Sequence, residues 1–151
     1  PIQYKDGIVK EHINTRQSAG FFDVSHMGQF FVSGGRSTEL SLEKIIPLDF
    51  KEIKMNQSKY SFLINDEGGV IDDLIITRVE NGFNIILNAA CKDNDIKEIA
   101  KCLNSESKYE LRKDLSLIAL QGPKAETILE TIIKNPRMKM IVLPTCLYFI
   151  R

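Results

Sequence analysis

The stretch KYSFLINDEGGVIDDLIITRVENGFNIILNA, residues 59–89, decides the fold of this 151-residue chain. Three of its segments alternate between apolar and polar residues and are rich in Ile, Val, Phe and Tyr, which predicts strands. These strands cover residues 59–65, 70–80 and 83–89. Asn81-Gly82 is a strong signal for a two-residue hairpin turn, and residues 66–69 form a four-residue loop. The stretch therefore predicts a three-stranded antiparallel meander.

The loop lengths set the register of this predicted sheet. The two-residue loop pairs Ile75 with Asn88, and the four-residue loop pairs Tyr60 with Ile75. Because side chains alternate between the two faces of a strand, Tyr60, Asp73 and Asn88 are expected on one face. A slip of one residue in the four-residue loop would move Tyr60 to the other face.

Asp73 is the candidate for chemistry within this sheet. Three apolar residues of its own strand share its predicted face, namely Ile71, Ile75 and Val79, while Asp72 points the other way. Adjacent aspartates are ordinarily loop or surface residues, but these two lie inside a strong strand pattern. A carboxylate buried on an apolar face is costly or has a raised pKa. The pattern indicates a general base or a ligand anchor at Asp73, and a substitution at Asp72 is expected to cost little.

Helices are expected on both sides of the meander in sequence. Apolar residues at helical spacing predict helices over residues 6–18, 37–46, 93–104 and 124–134. Ser37 is expected to cap the second of these and Pro47 to end it. Residues 21–32 read as a strand that is broken near 26–28. The predicted class is α+β, an antiparallel β-meander with flanking amphipathic helices.

Composition excludes several classes of function. The 20 basic and 20 acidic side chains cancel, so nucleic acid and anionic membranes are not expected as partners. The apolar runs are much shorter than the ~20 residues of a bilayer span, so the chain is expected to be soluble. The three cysteines form no CxxC motif and no Cys/His cluster, which predicts reduced thiols and no metal site.

Six short segments spread along the chain carry a more specific signal. They are residues 1–7 (PIQYKDG), 14–17 (NTRQ), 22–29 (FDVSHMGQ), 60–63 (YSFL), 68–75 (GGVIDDLI) and 119–123 (ALQGP). In this order they resemble the aminomethyltransferase, or T-protein, of the glycine cleavage system. The resemblance implies the first folate-binding domain of the T-protein fold, truncated at both ends. It divides residues 1–151 into a first domain over roughly 1–110 and the approach to a second subdomain over 111–151.

The resemblance also implies a reaction and a set of site residues. A lipoylated H-protein delivers an aminomethyl group, ammonia is released, and tetrahydrofolate becomes 5,10-methylenetetrahydrofolate. Asp73 matches the family's catalytic aspartate, and Tyr60, Asn88 and Met27 match folate-pocket positions. His26 is expected to be structural. No metal is implied, and the 151-residue piece alone is expected to be inactive.

Other folate-dependent proteins of the same fold are the alternatives. They are a demethylase, the folate domain of a sarcosine or dimethylglycine oxidase, and a folate-binding iron–sulfur maturation factor. A non-catalytic structural fragment is a further possibility. The resemblance implies a bacterial cytoplasmic location or a mitochondrial matrix location, with the first favoured.

Overall fold

The structure is a computed structural model that describes residues 5–132, 140–143 and 147–150. Its elements in chain order are α1 (Ile8–Gln17), β1 (Gly20–Asp23), β2 (Gly28–Ser33), α2 (Arg36–Leu42), a 3₁₀ turn (Phe50–Glu52), β3 (Ser58–Ile64), β4 (Val70–Val79), β5 (Gly82–Leu87), α3 (Lys92–Cys102), β6 (Lys108–Leu111), β7 (Ile118–Gln121), α4 (Ala125–Ile132), β8 (Met140–Leu143) and β9 (Leu147–Ile150). All strand pairs are antiparallel, so the predicted α+β class is confirmed.

The chain forms two compact units, residues 1–25 with 116–151 and residues 26–115. The first unit contains a four-stranded sheet of order β1-β7-β9-β8. The second contains a five-stranded sheet of order β3-β4-β5-β2-β6, in which the predicted meander is the first three strands. The predicted division of the chain near residue 110 stays a prediction.

One face of the five-stranded sheet forms the core of the second unit. Phe30, Ile76 and Leu87 are almost fully buried there, together with Leu42 of α2 and Ile99 of α3. Burying a side chain of this size stabilises the fold by about 1.5–3 kcal/mol. The opposite face is therefore free to carry polar side chains, and it carries Asp73.

The turn between β4 and β5 differs from the prediction. Val79 pairs with Gly82, so the turn residues are Glu80 and Asn81, and Ile75 pairs with Ile86 rather than with Asn88. Gly82 has φ 151°, and a Cβ at this position would lie 2.1 Å from the carbonyl oxygen of Val32. The glycine thus serves a close approach to β2 instead of the turn. Because the register moves by two residues, the faces of β5 stay as predicted.

The β3–β4 pairing agrees with the prediction in the middle and departs from it near the loop. Tyr60 pairs with Ile75, as predicted. The register shifts next to the loop, where Val70 pairs with Ile64 instead of Asn65. This bulge turns Ile71 toward the core, against which it packs. The expectation that Ile71 shares the face of Asp73 is therefore wrong.

Three of the four predicted helices are present and begin within two residues of the expected position. The exception is α2, which ends at Leu42, begins after Gly35, and receives no cap from the Ser37 side chain. The predicted continuation to residue 46 fails because the chain turns toward β3, where the carbonyl of Ile45 accepts the N–H of Ile64 at 2.9 Å. Residues 133–134, the predicted end of the last helix, lie outside the described residues. Within the described residues, no helix has both the length and the apolar character that a membrane span needs.

Candidate active site

Asp73 lies in the first half of β4, on the face of the sheet opposite the core. Its direct neighbour across the β3–β4 ladder is Phe62, which is 40% exposed. The same face carries apolar side chains and also buried polar ones. The buried polar side chains are those of Gln29, Ser58, Thr77 and Asn84. The face is thus more polar than the sequence pattern indicated, because Gln29 of β2 and Asn84 of β5 place amides on it.

Tyr60 contacts Asp73 directly. Its hydroxyl donates to Oδ2 of Asp73 at 2.5 Å. That hydrogen bond, together with desolvation and the charges of Asp73 and Asp72, raises the pKa of Tyr60 above its ordinary value. The rings of Tyr60 and Phe62 pack edge to face with centroids 5.5 Å apart, and both remain exposed. The two rings form an aromatic surface beside the carboxylate.

Asn88 holds the other oxygen of Asp73. Its Nδ2 donates to Oδ1 of Asp73 and, at 2.9 Å, to Oδ1 of Asp72. Asn88 directly follows the last residue of β5, and its carbonyl accepts the N–H groups of Cys91 and Lys92 at the start of α3. The end of one strand and the beginning of one helix therefore fix this amide. The predicted grouping of Tyr60, Asp73 and Asn88 on one face is present in the structure.

Asp72 contributes to the same network from the other side of β4. Its Oδ1 accepts the backbone N–H of Asp73 at 2.9 Å as well as the Asn88 amide. Burial acts to raise the pKa of Asp72, but the hydrogen bonds from the Asn88 amide and the Asp73 N–H, with smaller contributions from the neighbouring Asp95 and Cys91 side chains, outweigh it and leave the pKa below its ordinary value. Asp72 points to the opposite face from Asp73, as predicted. The Asn88 amide at the strand end nevertheless reaches both carboxylates, so Asp72 belongs to the network.

Asp95 is a site residue that the sequence reasoning missed. It lies in the first turn of α3 and is only 1% exposed. Burial, and then the charge of Asp72 and a hydrogen bond with it, raise the pKa of Asp95 to about 7. A signal was present in the sequence, because Asp95 lies four residues before Ile99 on the apolar stripe of the helix. A carboxylate at such a position calls for a buried partner.

Met27 and His26 lie in the segment between β1 and β2. Gly28 pairs with Leu87, so Met27 and Asn88 are the next residues beyond this end of the ladder. Met27 is half-buried. The carbonyl of His26 accepts Nζ of Lys92 at 2.9 Å, which is a structural role for its backbone. The folate-pocket role of Met27 stays a prediction.

The site has the components of acid–base chemistry on an aromatic ligand. It presents a carboxylate that accepts hydrogen bonds from a phenol and from an amide, beside two exposed rings. In the part of the chain that the structure describes, no three His, Cys, Asp or Glu residues are grouped so as to hold a metal ion.

Comparison with known proteins assigns the chain to a family. Residues 1–144 match the family described as the GCVT N-terminal domain, and the chain belongs to that family. The resemblance that the sequence motifs indicated is thereby confirmed.

Curated relatives and a solved structure agree with this assignment. The chain is 37% identical over 143 residues to the mitochondrial aminomethyltransferase of Dictyostelium discoideum, covering 89% of this chain and 35% of that protein. It is 41% identical over 137 residues to the aminomethyltransferase of Chlorobium phaeovibrioides, covering 88% and 37%. The crystal structure of the glycine cleavage system aminomethyltransferase T from Bartonella henselae superposes with a TM-score of 0.79 at 35% identity, covering 93% of this chain and 39% of that one. The chain thus spans little more than a third of the length of these relatives.

Proposed function

We propose that this chain is the part of a glycine cleavage aminomethyltransferase that binds tetrahydrofolate and supplies the catalytic carboxylate. The observation that carries the proposal is the Asp73 carboxylate, held between Tyr60 and Asn88 beside exposed aromatic rings in a chain of this family. The relatives that support it are named aminomethyltransferases.

The proposed reaction transfers one carbon from sulfur and nitrogen to the two amines of tetrahydrofolate. The lipoyl arm of H-protein carries the group as a thioaminal, S–CH₂–NH₂. One folate amine attacks the carbon and ammonia leaves; the second folate amine then displaces the lipoyl sulfur. The two protons lost by the folate amines balance the formation of ammonia and of the free thiol. The products are 5,10-methylenetetrahydrofolate, ammonia and dihydrolipoyl H-protein, with no net oxidation.

Asp73 is assigned to orient the attacking amine and to take up its proton. Both oxygens of an ionised carboxylate accept hydrogen bonds. Oδ1 therefore keeps its hydrogen bond from the Asn88 amide, while Oδ2 accepts one from the folate amine. The Tyr60 hydroxyl, which occupies Oδ2 in this structure, can rotate about its C–O bond. The rings of Tyr60 and Phe62 offer stacking surface to the flat pterin. Holding both substrates in near-attack geometry supplies at most ~7–11 kcal/mol of the barrier reduction.

Partners and location follow from the same proposal. The partners are lipoylated H-protein and tetrahydrofolate, no metal is required for the transfer, and residues 1–151 alone are not expected to turn over. Relatives include bacterial and mitochondrial proteins, so the bacterial cytoplasm and the mitochondrial matrix are the proposed locations.

The experiment incubates the whole protein with aminomethyl-loaded H-protein and tetrahydrofolate. Methylenetetrahydrofolate and ammonia are expected in equal amounts, and each is measured. No product from loaded H-protein, with formation of product from dimethylglycine or sarcosine instead, would overturn the proposal in favour of a folate-dependent demethylase. Tetrahydrofolate titration of the 151-residue chain then shows whether this part binds the cosubstrate by itself.

A further inference from the structure

The buried carboxyl of Asp95 has no role in the chemistry proposed above. The residue is 1% exposed, and neither of its carboxyl oxygens has a hydrogen-bond donor among the described residues when every carboxyl is ionised. An ionised carboxylate without donors in such a place is strongly unfavourable. The structure therefore requires either a proton on Asp95 or a partner that supplies one.

Asp72 also has a buried carboxyl oxygen without a hydrogen-bond donor among the described residues. Its Oδ1 accepts two hydrogen bonds, but its Oδ2 is buried and has no donor among the same described residues. Asp72 and Asp95 approach each other closely enough to hydrogen bond once a proton lies between them. The other ionisable groups that face Asp95 are Asp73 on β4 and the thiol of Cys91 in the turn before its own helix. One proton on Asp95 satisfies an oxygen of each carboxyl and removes one of three neighbouring negative charges.

We propose that Asp95 is a positioning residue, whose carboxyl is protonated below neutral pH and donates a hydrogen bond to Oδ2 of Asp72. The pair then anchors the Asn88 amide through Oδ1 of Asp72, and the amide in turn anchors Oδ1 of Asp73. Asp95 acts only through these residues and touches no substrate. The effect of Asp95 on catalysis rests on the proposed function, whereas the protonation of Asp95 does not.

The electrostatics of the site support this arrangement. The pKa of Asp95 is raised to about 7, first by burial and then by the charge of Asp72, whereas the pKa of Asp72 is lowered. The two shifts are opposite, as expected when one carboxyl of a close pair keeps the shared proton. Loss of that proton places three charges together and weakens the hold on Asn88.

The first test follows the Asn88 side-chain amide by NMR in the whole protein during a pH titration. In the unmodified protein its resonances are expected to shift with a midpoint near neutrality. Asp95→Asn keeps an N–H donor toward Asp72 and cannot titrate, so this shift should disappear. Asp93→Asn, an exposed aspartate of the same helical turn, is the matched control and should leave the shift unchanged. A titration that persists in Asp95→Asn would overturn the proposal.

The second test measures turnover against pH in the whole protein. Asp95→Ala should lower turnover about 10–100-fold, the size expected for a misplaced reacting group. Asp95→Asn should restore turnover to near the unmodified level and abolish a decline of activity above neutrality. A structural role alone would give Asp95→Asn an unchanged pH profile and would contradict the proposal. If the unmodified whole protein forms no methylenetetrahydrofolate, the proposed function fails, and the NMR titration still decides the protonation of Asp95.

Discussion

Nδ2 of Asn88 donates to Oδ1 of Asp72 at 2.9 Å and also to Oδ1 of Asp73, so one amide joins two consecutive aspartates of β4. Consecutive strand residues point to opposite faces, and their side chains ordinarily share no partner. Here β5 ends just before Asn88, and the amide lies where it reaches both carboxylates. Any change at this position therefore affects two carboxylates together.

Replacing Asn88 should destabilise the fold. Asn88→Ala leaves Asp72 and Asp73 without a shared donor, and the free energy of unfolding should fall by about 1–3 kcal/mol. Urea unfolding of the 151-residue chain measures this change. Asn94→Ala, at an exposed position of α3, is the control and should change it by less than about 0.5 kcal/mol. Equal effects of the two substitutions would contradict the bridging role.

Tyr60 contributes a ring and a hydroxyl, and two substitutions separate them. Tyr60→Phe keeps the ring, so the Kd for tetrahydrofolate should stay within about threefold, whereas Tyr60→Ala removes the stacking worth ~0.5–1.5 kcal/mol and should weaken binding about 2–10-fold. Isothermal titration of the whole protein checks both values.

Tyr109 supplies the matched control for Tyr60. It is similarly exposed but pairs with Val32 on the core face of the sheet. Tyr109→Ala should leave the Kd unchanged. If it weakened tetrahydrofolate binding as much as Tyr60→Ala does, the ligand would lie on the wrong face for this account.

The raised pKa of Asp95 predicts how stability depends on pH. The folded chain holds a proton on Asp95 up to about pH 7, whereas the unfolded chain releases it near its ordinary pKa of 3.8. Between these values the folded state binds more protons, so this group lowers the free energy of unfolding as pH rises, by at most about 4 kcal/mol. Asp72, with its lowered pKa, acts in the opposite sense and only at lower pH.

Asp95→Asn should remove that decline between about pH 4 and pH 7, which urea unfolding at a series of pH values measures. Asp93→Asn should keep it. Parallel stability curves for the unmodified chain and Asp95→Asn would show that Asp95 is ionised in the folded state.

The Asn81-Gly82 pair shows why the turn was misplaced by sequence reasoning. This dipeptide is a hairpin signal because glycine tolerates positive φ. In the structure, Gly82 uses that freedom one residue after the turn, where it approaches Val32 of β2. A contact with a strand 50 residues earlier leaves no local trace in the sequence, so the existence of the hairpin was predictable and its register was not.

The candidate site, too, could be predicted from the sequence only in part. Tyr60, Asp73 and Asn88 could be placed on one face because alternation along strands survives a register error of two residues. The bulge that turns Ile71 inward, and the reach of Asp72 to Asn88, depend on the end of the ladder and could not be inferred from alternation. The short strand β6 carries no long apolar pattern and was not predicted.

The close approach at Gly82 leads to a further stability prediction. Gly82→Ala forces a Cβ against the Val32 carbonyl at a positive φ, and it should lower the free energy of unfolding by about 2 kcal/mol or more. Gly35→Ala, where nothing lies within 4 Å of the added Cβ, should cost less than about 1 kcal/mol. Thermal or urea unfolding compares the two, and a neutral Gly82→Ala would mean that β2 and β5 do not approach as described.

The central claim is that Asp73 is the catalytic carboxylate, and its most direct test is turnover of the Asp73→Asn whole protein with aminomethyl-loaded H-protein and tetrahydrofolate. Asparagine keeps the shape and removes the base, so the rate of methylenetetrahydrofolate formation should fall ~10²–10⁴-fold. The Kd for tetrahydrofolate should weaken only modestly. Asp66→Asn, an exposed aspartate of the β3–β4 loop, should leave the rate unchanged. A rate for Asp73→Asn within threefold of the unmodified protein would contradict the account.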